Sequence, residues 1–396
     1  MMRALAVSIA LVLSACASSP FSPLPLESAS FLERAVTDSI DGIRVHTAVP
    51  SRAETSEWFG LNLYAEGIQP VWLQVENGTE KNIRVALYSV DEEYYAPLEV
   101  AWLFRKEVVK DARIDMEKWF YENQMPRRIP PGATRSGFVF THVSEGTKAF
   151  NLDVYDRDTA YPFTFFVPMP GFQADYQRID FSTLYAPDEI QKLDESELRD
   201  ALNHHTCCST DESGELLGEP LNVVLVGTPK AVRRSLLRGG WQETGSGSSL
   251  TGVARMHRYR GRIPDGTFHK SRPDGRERKE LRLWLSPMRL EDESVWIGQI
   301  SYDMSGAVGE KAFEQYQIDP DLDDARNFLI QNFWYNQALA KFAFVGGVPA
   351  STISDAASNF TGQTYFTDGN RAVMFLSEGP VGFDEVDVVN WQEGDQ

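Results

Sequence analysis

The chain has 396 residues, of which 42% are hydrophobic and 12% aromatic, enough for a sizeable core and two or three domains. Its 57 Asp and Glu outweigh 38 Lys and Arg, for a net charge of −19. That balance excludes general nucleic-acid binding, which needs cations facing phosphates.

The first residues are Met1-Met2-Arg3, an apolar run from Ala4 to Leu13, then Ser14-Ala15-Cys16. One cation, a short apolar stretch and small residues before a cleavage point make a secretory signal peptide over 1–15. The run is too short to span a bilayer, and nothing after residue 16 is apolar for long enough. Leu13-Ser14-Ala15-Cys16 resembles the lipobox of bacterial lipoproteins. The resemblance implies cleavage before Cys16, acyl chains such as palmitate on that cysteine, and a membrane partner held through the anchor. The alternative is an ordinary secretory signal cut after Ala15. Residue 17 is Ala rather than Asp, and in such lipoproteins the lack of an aspartate there implies the outer membrane of a Gram-negative bacterium. Residues 16–30, rich in Ser and Pro, read as an extended lipidated tether.

Residues 31–172 read as a β-sandwich-like domain. Pro70 to Glu76 alternates apolar and polar residues, Asn77-Gly78 marks a turn, and Ile83 to Ser89 follows as the expected return strand of a hairpin. Ser136 to His142, Ala149 to Tyr155 and Phe163 to Val167 are further strands, and Leu98 to Asn123 reads as a helical or irregular insertion. Residues 173–217 read as a connector with a helix from Asp188 to Leu202. Residues 218–396 form a second, mixed domain. Leu221 to Val226 is apolar enough for a strand covered on both faces. Thr228 is an N-cap, Pro229 takes the first helical position, and the helix runs to Arg238 before Gly239-Gly240. Leu281 to Leu285, Val295 to Tyr302 and Arg371 to Leu376 are strands, and Pro320 opens a helix with Leu322, Ala325, Leu329 and Phe333 on one face. The fold class is α+β.

Gly218 to Gly227, Gly240-Trp241, Leu281-Arg282-Leu283-Trp284, Trp296-Ile297-Gly298 with Asp303, and Ile318-Asp319-Pro320 through Arg326 come in an order that resembles the C-terminal domain of LssY-like proteins. The resemblance covers roughly residues 205–376 and implies a fold and an envelope setting. Relatives carry His pairs where this chain has Lys279-Glu280 and Tyr316-Gln317. Any metal or proton-transfer role of those histidines therefore does not carry over. Some relatives join this domain to membrane phosphatase segments.

No catalytic or metal motif emerges, and no cofactor is expected. Asp319, Asp321, Asp323 and Asp324 suit the first turn of a helix, where carboxylates meet the positive end of the helix dipole, with Arg326 as an ion-pair partner. The other reading of the run is a hard-cation site. His204-His205 and Cys207-Cys208 cluster soft ligands, but their adjacency works against a tetrahedral ion. For Cys207 and Cys208 three readings stand: two small part-buried side chains, a redox-active vicinal disulfide, or a soft-metal pair. Gly245 to Ser249 lacks the nucleophile elbow and reads as a loop. From Arg255 to Arg282 there are ten Lys or Arg against four Asp or Glu. Arg255, Arg258, Arg260, Arg262, Lys270 and Arg272 are candidates for contact with anionic lipid or an acidic partner protein, or for pairing with the chain's own carboxylates. The function expected is that of a lipid-anchored envelope protein acting as a non-enzymatic binding, assembly or secretion-associated module. The alternative is an envelope hydrolase of phosphoesters or polymers.

Overall fold

The computed structural model describes residues 20–144, 146–245, 256–271, 277–305 and 316–391. Two compact units divide the chain: Met1–Val143 with Leu152–Phe163, and Ser144–Asn151 with Thr164–Gln396. Cys16, Arg255, Arg272 and Ser246 to Ser249 lie outside the described residues.

In the first unit the elements run β1 (Val36–Ile40), β2 (Ile43–Ala48), α1 (Arg52–Phe59), β3 (Ile68–Asn77), β4 (Ile83–Ala86), α2 (Pro97–Leu103), α3 (Arg113–Glu122), β5 (Arg128–Ile129) and β6 (Thr134–His142). The pair β7 (Thr147–Tyr155) and β8 (Ala160–Pro168) is shared out between the units. Two four-stranded sheets result, ordered β1-β2-β3-β6 and β5-β4-β7-β8. Asp41 and Gly42, both at positive φ, make the tight turn from β1 to β2. In β3 the period of two buries both faces. Ile68 and Trp72 pack with Trp58, Phe59, Val100, Phe104, Met116, Phe120 and Phe138 in a helix-covered core, while Val71, Leu73 and Val75 are buried on the other face. Ser51 opens α1 through a reciprocal capping box with Glu54.

Two expectations fail here. β3 and β4 do not form a hairpin, since β3 pairs with β2 and β6, and β4 with β5 and β7. The Asn77 carboxamide donates instead to the carbonyls of Lys81, Ile129 and Pro130 and accepts from Thr79, so it stabilises a crossing loop. Nor are residues 20–30 a free tether. Phe21 packs against Trp119 and Phe120, the Leu24 N–H donates to the Trp58 carbonyl, and Ala29 and Phe31 are buried in the core. Apolar side chains placed among the prolines outweigh the extended bias of the Ser/Pro composition.

The second unit continues with β9 (Gln191–Leu193), α4 (Glu195–Asn203), β10 (Cys208–Thr210), β11 (Leu217–Pro220), β12 (Val223–Val226), α5 (Pro229–Arg238), β13 (Gln242–Glu243), β14 (Gly266–Ser271), β15 (Glu277–Leu290), β16 (Glu293–Ser305), β17 (Tyr316–Ile318), α6 (Leu322–Tyr335), β18 (Leu339–Val345), β19 (Ala357–Ser358), β20 (Thr364–Tyr365), β21 (Arg371–Leu376) and β22 (Asp387–Val389). Its main sheet runs β13-β14-β15-β16-β12-β21-β18-β22, with β17 on β16 and β9 on β15. β12 is covered on both faces. Val223 and Leu225 meet α5 and α6, whereas Val224 and Val226 share a core with Leu198 and Leu202 of α4. At the crossing of β15, β16 and β12, Gly298 is required by close packing: a Cβ there would lie 2.7 Å from Leu283 and from Val223.

The expected connector over 173–217 belongs to this unit. Its helix starts at Glu195 rather than Asp188, capped by Asp194, because the preceding residues pair in parallel with β15. Sheet-dominated α+β architecture is therefore what the chain adopts. Among the described residues no helix is long and apolar enough to cross a membrane, which says nothing of a β-barrel.

Candidate functional site

A cavity of about 290 Å³ opens within the second unit, on the α5 side of the main sheet. The sheet supplies Asp265, Gly266, Phe268, Leu283 and Trp296; the first turn of α5 supplies Pro229, Lys230, Val232 and Arg233; Phe166, Tyr176 and Phe181 close it. Sequence places these parts for separate reasons. Thr228 accepts from the Ala231 N–H and fixes where α5 starts, which sets Lys230 and Arg233 at the cavity edge. Leu283 and Trp296 come from β15 and β16, at positions whose alternation turns them toward the same core. Phe181 stacks edge-on against Trp296, with ring centres 5.6 Å apart.

Arg233 is held in place rather than free. Its guanidinium grips the Glu243 carboxylate with two nitrogens at 2.5 and 2.9 Å, and it lies 4.7 Å from the Phe166 ring centre and 4.9 Å from that of Tyr176. Asp265, buried at the opposite wall, accepts from Arg262 at 2.6 Å and from the Leu285 N–H at 2.7 Å. Burial raises its carboxyl to about 6 against the pull of Arg262. Lys230 is exposed at the mouth. An aromatic, largely apolar wall, with Asp265 and Arg233 each tied to a partner, suits a molecule with an apolar body.

On the opposite face of the sheet lies a buried polar cluster of Ser209, Glu219, His257, Glu280, Arg282, Gln299 and Asn359. The Ser209 hydroxyl is 3.0 Å from His257 Nδ1, and a Glu219 carboxylate oxygen is 3.1 Å from the same nitrogen. A nucleophile–base–orienter relay needs two different ring nitrogens, so this set does not have that geometry. Burial pushes the Glu219 carboxyl up, against the pull of Arg282, and the His257 imidazole well below its usual range. Asn359 donates to the other Glu219 oxygen at 2.9 Å, and Arg282 pairs with Glu280 at 2.6 Å and donates to Gln299.

The basic stretch does not form a single exposed surface among the described residues. Arg262 is tied to Asp265 and the Tyr185 hydroxyl. Arg258 approaches Glu212 at 3.9 Å, and Arg260, half exposed at a positive-φ turn position, approaches Glu189 at 3.8 Å. Lys270 donates to the Gly239 carbonyl, and burial, with Lys279 nearby, lowers its ammonium. The acidic run caps α6: Asp321 accepts from the Asp323 and Asp324 N–H groups, and Arg326 pairs with Asp323 and Asp368. No cluster of potential metal ligands occurs among the described residues. Cys207 and Cys208 are joined by a disulfide across one peptide bond. His205 bonds through Nε2 to the Tyr259 hydroxyl at 3.0 Å, and burial, with help from Arg371, lowers it to about 4.

Sequence reasoning missed the cavity residues, Arg233 and Asp265 among them. The Thr228-Pro229 helix start was the single local signal, because the wall is gathered from six separate segments.

This mixed, sheet-dominated unit contains the part of the chain that resembles a known domain. Residues 254–370 match the family model described as LssY C-terminus, a span that includes β14 to β20 and the Asp265–Phe268 wall. No curated protein matches the chain.

Proposed function

We propose that the chain is a lipid-anchored binding module of the cell envelope whose second unit takes an amphipathic molecule in the cavity beside α5. The observation that supports this reading is the cavity itself, whose wall is aromatic and aliphatic while Lys230 stands at its solvent edge. An apolar body gains from leaving water inside, and an anionic end meets the exposed ammonium. The Leu13-Ser14-Ala15-Cys16 sequence supports the anchor and, with Ala17, an outer-membrane setting. The hydrolase reading gains nothing from the acidic run, whose carboxylates cap a helix and bind Arg326.

Titration of the purified full chain with parinaric acid, a fluorescent fatty acid, tests the reading. Saturable binding is expected, and Val232→Trp, which fills the cavity, abolishes it. An overpacked core costs about 1–3 kcal/mol, so the thermal transition of the variant is recorded alongside to show that it remains folded. The absence of saturable binding, or binding equally strong in a folded Val232→Trp protein, removes the proposal.

A further inference from the structure

The first unit exposes apolar side chains where such residues are usually buried. Leu98, Trp102 and Leu103 on α2 and Ile114 and Tyr121 on α3 are between 43% and 74% exposed. Leu98 and Trp102 are four residues apart, and Ile114 and Tyr121 seven, so each pair forms one stripe of its helix. The opposite sides of the same helices, Val100 and Ala101 on α2 with Phe104 at its C-cap, and Met116 and Phe120 on α3, are buried in the helix-covered core. Both stripes therefore point away from that core. The Arg105 guanidinium lies 4.5 Å from the Trp102 ring centre, and exposed Lys106, Lys110 and Lys118 are interleaved with exposed Glu99, Glu107, Asp111, Asp115 and Glu122.

The N-terminal segment ties α3 to the part of the chain that carries Cys16. Phe21 is fixed on α3, its ring centre 5.7 Å from Trp119 and 5.9 Å from Phe120. Cys16 is five residues earlier. Five residues reach at most about 17 Å even when fully extended, roughly the length of a ten-residue helix such as α3. An acyl group on Cys16 would hold α3 within that distance of the lipid surface.

We infer that the outward stripes of α2 and α3 dock onto the lipid surface that carries the Cys16 anchor. This rests on the proposed acylation of Cys16. Trp102 and Tyr121 are residues of the amphipathic kind favoured at head-group level, and Leu98, Leu103 and Ile114 enter the acyl boundary. A chain at −19 is repelled by an anionic surface, so an anchored protein without such a face would hold its body off the membrane.

The full-length protein, purified from membranes and reconstituted into phosphatidylethanolamine–phosphatidylglycerol vesicles, provides the test. Leu98→Cys, Ile114→Cys and, as a control at the exposed start of β6, Arg135→Cys are each labelled with an environment-sensitive fluorophore. Quenching of the first two by a water-soluble quencher is expected to be roughly threefold weaker than at the control, with matching quenching by brominated lipid. Equal aqueous quenching at all three sites overturns docking. Shielding at 98 and 114 that persists in detergent without vesicles, with the mass of a dimer, assigns the face to a second copy and also overturns it. Mass spectrometry of the same samples reports on Cys16. An unacylated cysteine defeats the anchor reading itself, whereas an acylated protein with fully accessible labels defeats docking alone.

Discussion

Asp265 and His205 make opposite contributions to stability as the pH changes. The Asp265 carboxyl moves from 3.8 to about 6 on folding, so between those values the folded state holds more protons than the unfolded state and stability falls as pH rises. His205 moves from 6.5 to about 4, so there the folded state holds fewer protons and stability falls as pH drops. Each effect is at most about 3 kcal/mol. Asp265→Asn keeps an acceptor for the Leu285 N–H, and its stability relative to the native chain is expected to improve from pH 4 to pH 6. His205→Phe is expected to show the reverse, a relative gain on acidification below pH 6.5. Urea melts across that range check both, and parallel curves for variant and native chains refute the assignments. Neither shift was legible in the sequence. Asp265 looked like one acid within a basic loop, and His205 like part of a soft-ligand cluster, because burial is set by segments far away in sequence.

At the scale of elements, capping was the most readable feature and is the easiest to test. Thr228 holds the start of α5 and with it the edge of the cavity, and its hydroxyl also lies 2.8 Å from Glu378. Thr228→Ala is expected to cost about 1 kcal/mol in a thermal melt and to weaken parinaric acid binding. A change in neither quantity would show that the cap does not set the cavity edge. The Thr-Pro start, the Gly-Gly stop of α5, the α6 stripe and the doubly covered β12 were all legible, since each is a local pattern with its own physical cause. Asn77-Gly78 misled because the same carboxamide that favours a tight turn can bond to distant loop carbonyls. Ile190 and Leu193 fit a helical period, but residues 191–193 pair with β15 instead, a choice that no local propensity dictates.

For the whole molecule, the proposed anchor and the disulfide together define a thiol count. With Cys16 acylated and Cys207 joined to Cys208, the denatured native protein has no reactive thiol before reduction and two after it. Thiol titration with and without reductant checks this, and a free thiol in the unreduced protein refutes either the linkage or the anchor. The two units interleave around β7 and β8, which a change of pattern along the chain does not reveal. The place of residues 173–217 was not legible either, because they look like a polar joint until β9, α4 and β10 take their places.

β21 lies between β12 and β18, pairs in parallel with a strand almost 150 positions upstream, and carries Arg371, whose guanidinium donates to the carbonyls of Leu221, Leu202, His205, Thr206, Gly346 and Gly347. Since a polypeptide is made from its amino end, Arg371 arrives after every segment whose carbonyls it bonds. Until it does, β12 has an open flank and six oxygens await their donor. Closure of this sheet therefore waits for β21, and a nascent chain stalled short of it would leave an open strand edge.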